Sequence, residues 1–213
     1  MPDVEAEKRL AAEAAAALVE DGMTVGLGTG STVGYLLPAL AARGLSLRCV
    51  ATSPQTEQQA LELGLAVAPF RGIARLDIAI DGADQIAPGG WVVKGGGGAH
   101  TREKVVAAAS DRFVVIASSD KLVDAIEPPI PLELIAYGLD ATLARLGEVA
   151  LREVPPSPDG GVIADYLGPV EDLVALAAHL AETPGVVEHG LFPPELVSQV
   201  LVGRGDTVER FTY

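Results

Sequence analysis

The sequence predicts an α/β protein with an open, mostly parallel, Rossmann-like sheet and crossover helices, joined to a smaller α+β domain. Helical patterns alternate with short apolar runs from Val4 to Ala117, which is typical of parallel strands connected by helices. Pro128, Pro129 and Pro131 then interrupt the alternation, because proline lacks a backbone donor and biases the preceding residue away from helix. The prolines therefore indicate a change of architecture.

The elements before the prolines follow from their boundary residues. The first helix is predicted over Val4–Glu20 and ends at Asp21-Gly22, since glycine suits the left-handed conformation that follows many helices. Ser31 begins a second helix, and Ser53-Pro54 begins a third, with serine as N-cap and proline at the first helical position. A fourth helix is predicted over Ala99–Ala109. Strands are predicted at Met23–Leu27, Leu47–Ala51, Leu65–Ala68, Asp77–Ile80, Trp91–Val93 and Phe113–Ala117.

The second half of the chain predicts a smaller α+β unit. The run Leu196–Thr212 is strand-like, and we expect it to return to the first sheet. We therefore predict one domain from residues 1–128 plus 195–213 and a smaller one from 129–194. Within the smaller one, strands are predicted at Leu132–Ile135, Val149–Arg152 and Val162–Ala164, and helices at Leu139–Leu146 and Val170–Ala181.

Composition limits the partners and the location. The net charge of −14 disfavours nucleic acid as a partner, because phosphate-backbone binding depends on clustered cations. No run approaches the roughly 20 apolar residues that cross a membrane, and the acidic start of the chain lacks a signal-peptide pattern, so we expect a cytoplasmic protein with no membrane partner. The single Cys49 excludes an internal disulfide and a cysteine metal cluster.

The segment Gly26–Thr32 predicts a phosphate site. It follows an apolar strand and enters a helix, so backbone N–H groups and the helix dipole can hold an anion. The hydroxyls of Thr29, Ser31 and Thr32, on either side of Gly30, add donors. A tight turn without a ligand is the alternative. The dinucleotide-binding fingerprint fails for want of its third glycine, and no Walker Gly-Lys-Ser/Thr sequence is present.

A second polar turn reads Asp81-Gly82-Ala83-Asp84 and follows a predicted strand. Its two aspartates are expected at the carboxyl end of that strand, where open α/β sheets bind ligands. A solvated Asp-Gly turn is one alternative, and a magnesium site is another. The sequence offers no further Asp, Glu or His cluster to complete a magnesium site, so we expect no metal.

The third segment places Lys94 before four glycines and Glu103 on the helix that follows them. Because Gly95, Gly96 and Gly97 lack Cβ atoms, their N–H groups can approach an anion, and Lys94 adds a positive charge. Glu103 is the candidate for moving a proton. It shares a helix face with three apolar residues, Ala99, Val106 and Ala107, and so is predicted to point inward. An exposed Arg-Glu-Lys trio is the alternative.

Lys121 is a second candidate for binding phosphate. It ends the turn Ser118–Lys121, which follows another predicted strand and so lies at the same edge of the sheet. A solvated turn lysine is the alternative. His100 is the only histidine near the proposed site, and we expect it to be a bystander.

Taken in order, these motifs resemble ribose-5-phosphate isomerase, type A, and Lys8 matches that family's N-terminal lysine. The resemblance continues through Lys121 to residues 184–187 and 190–192. It implies an isomerase of D-ribose 5-phosphate and D-ribulose 5-phosphate, without metal or organic cofactor, in the pentose phosphate pathway and as a homodimer or homotetramer. The sequence departs from the family pattern at His100 and Gln85 and has a shortened segment from 152 to 165.

The resemblance also implies roles for the site residues. Glu103 shuttles a proton between C2 and C1, while Lys94 and the glycine N–H groups stabilise the enediolate oxyanion. Asp81 and Asp84 handle hydroxyl protons, and Asp81 is expected to open the sugar ring. Substrate contacts are expected from Lys8, Thr29, Gly30, Ser31, Thr32, Asp81, Gly82, Ala83, Asp84, Lys94, Gly95, Gly96, Gly97 and Lys121.

Two other classes compete with the isomerase. A non-catalytic sugar-phosphate sensor shares the phosphate turn, but it has no need of Glu103 beside Lys94, and the chain lacks a basic helix-turn-helix segment. A nicotinamide-dependent oxidoreductase is disfavoured by the incomplete dinucleotide fingerprint.

Overall fold

The computed structural model describes residues 3–213. Its helices are α1 Val4–Ala16, α2 Ser31–Ala41, α3 Pro54–Glu62, α4 His100–Ala108, α5 Leu139–Leu146 and α6 Leu173–Glu182. Its strands are β1 Thr24–Leu27, β2 Arg48–Ala51, β3 Ile78–Asp81, β4 Gln85–Ile86, β5 Val92–Val93, β6 Phe113–Ser118, β7 Ile130–Leu134, β8 Val149–Leu151, β9 Val162–Tyr166, β10 Val186–His189, β11 Leu191–Phe192, β12 Gln199–Arg204 and β13 Thr207–Thr212. Short 3₁₀ helices cover Ser119–Lys121 and Pro194–Leu196.

The main sheet has six strands in the order β13-β12-β6-β3-β1-β2. All its neighbours are parallel except β12 and β13, which form an antiparallel hairpin. The predicted fold class is therefore confirmed, and so is the return of the C-terminal run to the first sheet. Because β1, β3 and β6 are parallel neighbours, their carboxyl ends at Leu27, Asp81 and Ser118 lie along one edge.

Apolar side chains cover both faces of this sheet. On one face, α1 and α2 pack on alternate residues of the central strands, including Val25, Ile80 and Ile116. On the other face, α4 packs through Val106 on residues such as Val115. Helices on both faces explain why β3 and β6 are buried along their whole length.

A four-stranded antiparallel sheet, β10-β7-β9-β8, packs with α5 and α6 around a separate apolar core. The helix predicted at Leu139–Leu146 is confirmed at both ends. The division of the chain into two domains at residues 128 and 195 stays a prediction. Across residues 3–213, no helix is long and apolar enough to cross a membrane.

Three predicted elements differ from the structure. The first helix ends at Ala16 because the chain tightens there into turns, with Val19 N–H bonded to Ala16 O, and buries Val19 in the core. Leu65–Ala68 forms only an isolated bridge to β2 instead of a strand. The apolar run at Trp91–Val93 contributes β5 to a three-stranded sheet, β11-β5-β4, outside the main one.

Candidate active site

One cavity of about 190 Å³ opens at the edge where β1, β3 and β6 end. The residues that line it come from α1, the β1–α2 turn, the segments after β3 and β5, α4 and the 3₁₀ helix after β6. They are Val4, Lys8, Thr29, Gly30, Ser31, Thr32, Gly82, Ala83, Asp84, Lys94, Gly95, Gly96, Gly97, Glu103, Asp120 and Lys121. Among the predicted site residues in the described chain, only Asp81 does not line the cavity.

Close packing of α4 on β1 brings Glu103 to this edge. A Cβ atom on Gly26 would lie 2.4 Å from Cγ1 of Val106, so glycine is required where the helix crosses the strand. Glu103 lies about one turn before Val106 on the same face. It is only 4% exposed, which confirms the prediction that it points inward.

Lys94 and two carboxylates form a buried charged centre. The Nζ atom of Lys94 lies 2.9 Å from Oδ2 of Asp81 and 3.2 Å from Oε2 of Glu103. It also donates a 2.6 Å hydrogen bond to the carbonyl oxygen of Gly82. The two carboxylate contacts are ion pairs and lack hydrogen-bond alignment, so among residues 3–213 neither Oδ2 of Asp81 nor Oε2 of Glu103 accepts a hydrogen bond. Lys94 therefore balances the charge of both carboxylates without a directed hydrogen bond to either oxygen.

The buried centre perturbs its own acid–base groups. Burial, together with the negative charge of Asp81, raises the pKa of Glu103 from 4.5 to about 8, although Lys94 acts in the opposite direction. Burial alone would lower the pKa of Lys94, but the charges of Asp81 and Glu103 raise it above its ordinary value. The two carboxylates thus favour the protonated form of Lys94, and the raised pKa of Glu103 is a property suited to a general acid–base group.

Asp81 joins this centre to the predicted phosphate turn. Burial raises the pKa of Asp81, while Lys94 and two backbone N–H groups act against that rise. Its Oδ1 atom accepts hydrogen bonds from the N–H of Thr29 at 3.0 Å and of Gly82 at 2.7 Å. Gly28 permits the approach, since a Cβ there would lie 1.9 Å from Cγ of Asp81. These donors and Lys94 favour the charged form of Asp81 and so act against the effect of burial.

The N-terminus of α2 opens into the cavity. Its N-cap is Gly30, whose φ of +120° favours glycine, and no side chain caps the first turn. Ser31 and Thr32 begin the helix and line the cavity with Thr29, whose hydroxyl lies 2.8 Å from that of Thr52. Free N–H groups at a helix start, with three hydroxyls beside them, form a site suited to an anion.

Two further lysines face the same end of the cavity. Nζ of Lys8 lies 2.7 Å from a carboxylate oxygen of Glu5. Nζ of Lys121 lies 3.4 Å from Oδ2 of Asp120, and its side chain is 35% exposed. Each lysine lines the cavity and has one acidic partner, and both partners, Glu5 and Asp120, are exposed, so both ammonium groups are available to a phosphate.

The glycine turn forms the opposite wall. The N–H of Gly98 bonds to the carbonyl of Gly95 at 3.0 Å, and the N–H of Gly96 bonds to Oδ2 of Asp84 at 2.8 Å. Gly95 has a φ of +109°, and a Cβ there would lie 2.6 Å from Nδ1 of His100. No hydrogen-bond acceptor within residues 3–213 serves the N–H of Gly97, which lines the cavity.

His100 lies beneath this turn and not in the cavity. It is fully buried, and burial lowers its pKa to about 4, so it is neutral at pH 7. Its Nε2 atom lies 3.4 Å from the carbonyl oxygen of Glu188, and no hydrogen bond joins it to Glu103 in residues 3–213. The structure likewise shows no group of three His, Cys, Asp or Glu side chains that could hold a metal within those residues.

Sequence reasoning did not identify every residue at the cavity. Val4 and Asp120 line it: Val4 lies one helical turn before Lys8, and Asp120 directly precedes Lys121. Arg152 reaches the glycine turn from β8 of the smaller sheet. No spacing in the sequence links positions 152 and 95, so only the tertiary structure reveals this contact.

The fold and the site define a Rossmann-like α/β protein in which an anion-binding helix start and a buried acid–base centre share one cavity. A family model described as ribose 5-phosphate isomerase A (phosphoriboisomerase A) matches residues 48–207. Ribose-5-phosphate isomerase A of Caulobacter vibrioides is 45% identical over 220 residues, covering 96% of each chain. The chain therefore belongs to the ribose 5-phosphate isomerase A family.

Solved structures agree with this assignment over the whole chain. The crystal structure of ribose 5 phosphate isomerase A from Neisseria gonorrhoeae has a TM-score of 0.95 at 29% identity, covering 100% of this chain and 98% of that one. A D-ribose-5-phosphate isomerase in complex with phospho-erythronic acid has a TM-score of 0.93 at 31% identity, covering 99% of this chain and 100% of that one.

Proposed function

We propose that this chain is an aldose–ketose isomerase that interconverts D-ribose 5-phosphate and D-ribulose 5-phosphate in the non-oxidative pentose phosphate pathway. One observation carries the proposal: Glu103, a buried carboxylate with a raised pKa, lies beside Lys94 in the cavity that also holds the start of α2. A base and a phosphate site in one cavity are what this reaction requires. The names of the relatives support the same reaction.

The substrate phosphate is assigned to the N-terminus of α2. Ser31 and Thr32 provide N–H and hydroxyl donors there, while Lys8 and Lys121 provide positive charge. Binding at this end directs the sugar toward Glu103 and the glycine turn. Holding the reacting carbon beside a fixed base converts a slow encounter into an intramolecular step.

The proton transfer needs no external oxidant or reductant. Glu103 removes the C2 proton of the open-chain aldose, the C2–H electron pair forms the C1–C2 double bond, and the carbonyl π pair becomes the oxyanion on O1. Glu103 then returns its proton to C1 as a ketone forms at C2. The proton from the O2 hydroxyl goes to O1, so all atoms and electrons balance.

Lys94 links the proton transfer to charge stabilisation. Before the transfer, Lys94 lies between two carboxylates. When Glu103 accepts the proton, it loses its charge and its attraction for Lys94. The ammonium then faces a new negative charge on the substrate in a site of low dielectric, where such an interaction is strong.

Ring opening is better suited to Asp84 than to Asp81. Both oxygens of Asp81 face donors of the protein, and this residue does not line the cavity. Asp84 lines the cavity, is exposed, and uses Oδ2 to accept the Gly96 N–H. We therefore assign hydroxyl proton transfer during ring opening to Asp84, and assign to Asp81 the placement of Lys94 and the phosphate turn.

The sensor alternative is not favoured, because binding alone does not require a buried carboxylate of raised pKa beside a lysine. The cytoplasmic location, the homodimer or homotetramer and the absence of a nucleic-acid partner are part of the proposal. They rest on composition and on the family resemblance. Light scattering on the purified chain will measure its oligomeric state.

An assay on D-ribose 5-phosphate tests the function directly. The unsubstituted protein is expected to isomerise it and to exchange the C2 proton with solvent. Glu103→Gln should lower turnover by about 10²–10⁴, while Glu57→Gln, on the exposed surface of α3, should not. Binding without C2 exchange by the unsubstituted protein would replace the enzyme with the sensor, and ordinary turnover by Glu103→Gln would exclude Glu103 as the base.

A further inference from the structure

Arg152 connects the smaller sheet to the wall of the cavity. Its side chain extends from the end of β8, and its Nη1 atom donates hydrogen bonds to the carbonyl oxygens of Gly95 at 2.9 Å and Gly96 at 3.1 Å. On its other side, Nε and Nη2 bond at 2.7 Å and 2.6 Å to the two carboxylate oxygens of Asp165, on β9. The two side chains are each 18% exposed.

The contacted carbonyls belong to the peptide groups that carry the N–H groups of Gly96 and Gly97. The carbonyl of Gly96 shares a peptide group with the N–H of Gly97, and in a trans peptide the two point in opposite directions. Arg152 bonds to the carbonyl oxygen of Gly96, while Gly97 lines the cavity and its N–H has no acceptor within residues 3–213. A cation bonded to a carbonyl polarises the peptide, which makes its N–H a stronger donor.

We propose that Arg152 is a positioning residue, held in place by Asp165, that fixes and polarises the glycine turn so that the Gly97 N–H stabilises the enediolate oxyanion. This inference rests on the proposed isomerase function. Arg152 touches the turn from outside the cavity, so it acts through the peptide groups and not on the substrate itself. Its effect should therefore fall on turnover more than on substrate binding.

The chain contains a matched control. Arg102 also forms a bidentate pair, with Asp159, through two contacts of 2.7 Å. This pair is more exposed than the Arg152–Asp165 pair: 38% of the Arg102 side chain and 50% of the Asp159 side chain are exposed. Within residues 3–213, the side chain of Arg102 donates to one backbone carbonyl, that of Pro158, away from the glycine turn. Loss of Arg102 removes an arginine–aspartate pair without changing the donors of the cavity.

The test compares Arg152→Met, Arg152→Lys, Asp165→Asn and Arg102→Met with the unsubstituted protein. We expect Arg152→Met to lower kcat by about 10- to 100-fold, less than or equal to the loss of a whole oxyanion donor, with KM changed by less than about threefold. Arg152→Lys should give an intermediate kcat, because a lysine ammonium lacks the planar, bidentate geometry with which the guanidinium bonds to two carbonyls and a carboxylate. Asp165→Asn should lower kcat by a smaller factor, and Arg102→Met should leave it unchanged.

A binding measurement separates positioning from general damage. Phospho-erythronic acid carries a carboxylate near the carbon that would bear the enediolate charge, so its inhibition constant should weaken in Arg152→Met by more than KM rises. Inorganic phosphate should bind with unchanged affinity. A kcat within twofold of the unsubstituted protein, a change confined to KM, or an equal loss in Arg102→Met would overturn the proposal.

The test does not depend on the folding of a single variant. If Arg152→Met does not fold, Arg152→Lys and Asp165→Asn still carry the comparison, and both must then show a lowered kcat at unchanged KM. The proposed function fails separately, because turnover by the unsubstituted protein depends on none of the variants. An active protein whose Arg152 variants behave normally would remove this inference alone.

Discussion

Removing the charge of Asp81 should shift the pH dependence of the reaction, because that charge raises the pKa of Glu103. Lys94 lies 2.9 Å from one carboxylate and 3.2 Å from the other, so their nearest oxygens are within about 6 Å of each other. At an effective dielectric constant near 20, two charges at that distance repel by about 2.8 kcal/mol, or about 2 pH units. Asp81→Asn should therefore lower the pKa of Glu103 by about that amount.

The assay is the pH profile of kcat/KM, which reports ionisation in the free enzyme. In the unsubstituted protein the base must be deprotonated, so kcat/KM should rise about tenfold per pH unit up to a pKa of about 8 and then level off. In Asp81→Asn the rise should end about 2 units lower, whatever the absolute rate. The substrate phosphate titrates near pH 6, so a limb near 8 belongs to the protein.

Asp120→Asn is the control for this profile. Asp120 also lines the cavity, but its contacts are with Ser118 and Lys121, and it is not among the main influences on the pKa of Glu103. The kcat/KM profile of Asp120→Asn should therefore still level off at a pKa near 8. If the limb of Asp81→Asn also stayed there, the coupling between the two carboxylates through the buried centre would be refuted.

Other predictions follow from the same packing and charges. Gly28→Ala should lower the melting temperature, because its Cβ would lie 1.9 Å from Cγ of Asp81, while Gly34→Ala, with open space around it in α2, should raise it; equal effects in thermal scans would contradict this. The pKa of Glu103 is about 8 in the folded protein and 4.5 when unperturbed. As pH rises from about 4.5 to about 8, the unsubstituted protein should therefore lose stability relative to Glu103→Gln. A difference in melting temperature that stays constant over this pH range would contradict the raised pKa. Turnover should survive EDTA, because Lys94 and backbone N–H groups supply the charge stabilisation; loss restored by a divalent cation would contradict this.

Local sequence patterns predicted most elements of the fold. The alternation of helices and apolar runs predicted the parallel sheet, and Ser31 and Ser53 marked two helix starts that the structure confirms. The missed strands are short: β4 and β11 have two residues each, and β10 has four. Two-residue strands have no measurable period, so they arise from tertiary pairing and not from a pattern in the sequence.

The site shows the same division between local and distant information. The inward direction of Glu103 followed from its helical neighbours, because a helix face is a local property. Sequence order could not show that Asp81 lies behind Lys94 while Asp84 faces the cavity, since that depends on how β5 returns past β3. It also could not show that Arg152 meets Gly96, because β8 belongs to another sheet.

The distribution of lysines explains how a chain of net charge −14 can hold an anionic substrate. Of its four lysines, Lys8, Lys94 and Lys121 line the cavity. Lys104 lies on the same helix as Glu103, but its ammonium is engaged by Glu188 at 2.7 Å and by the carbonyl of His189 at 2.6 Å. The acidic partners of Lys8 and Lys121 are exposed, so both ammonium groups are available to a phosphate, whereas Lys94 is buried between two carboxylates. The proposed mechanism therefore draws its positive charge for phosphate binding and for oxyanion stabilisation from different residues.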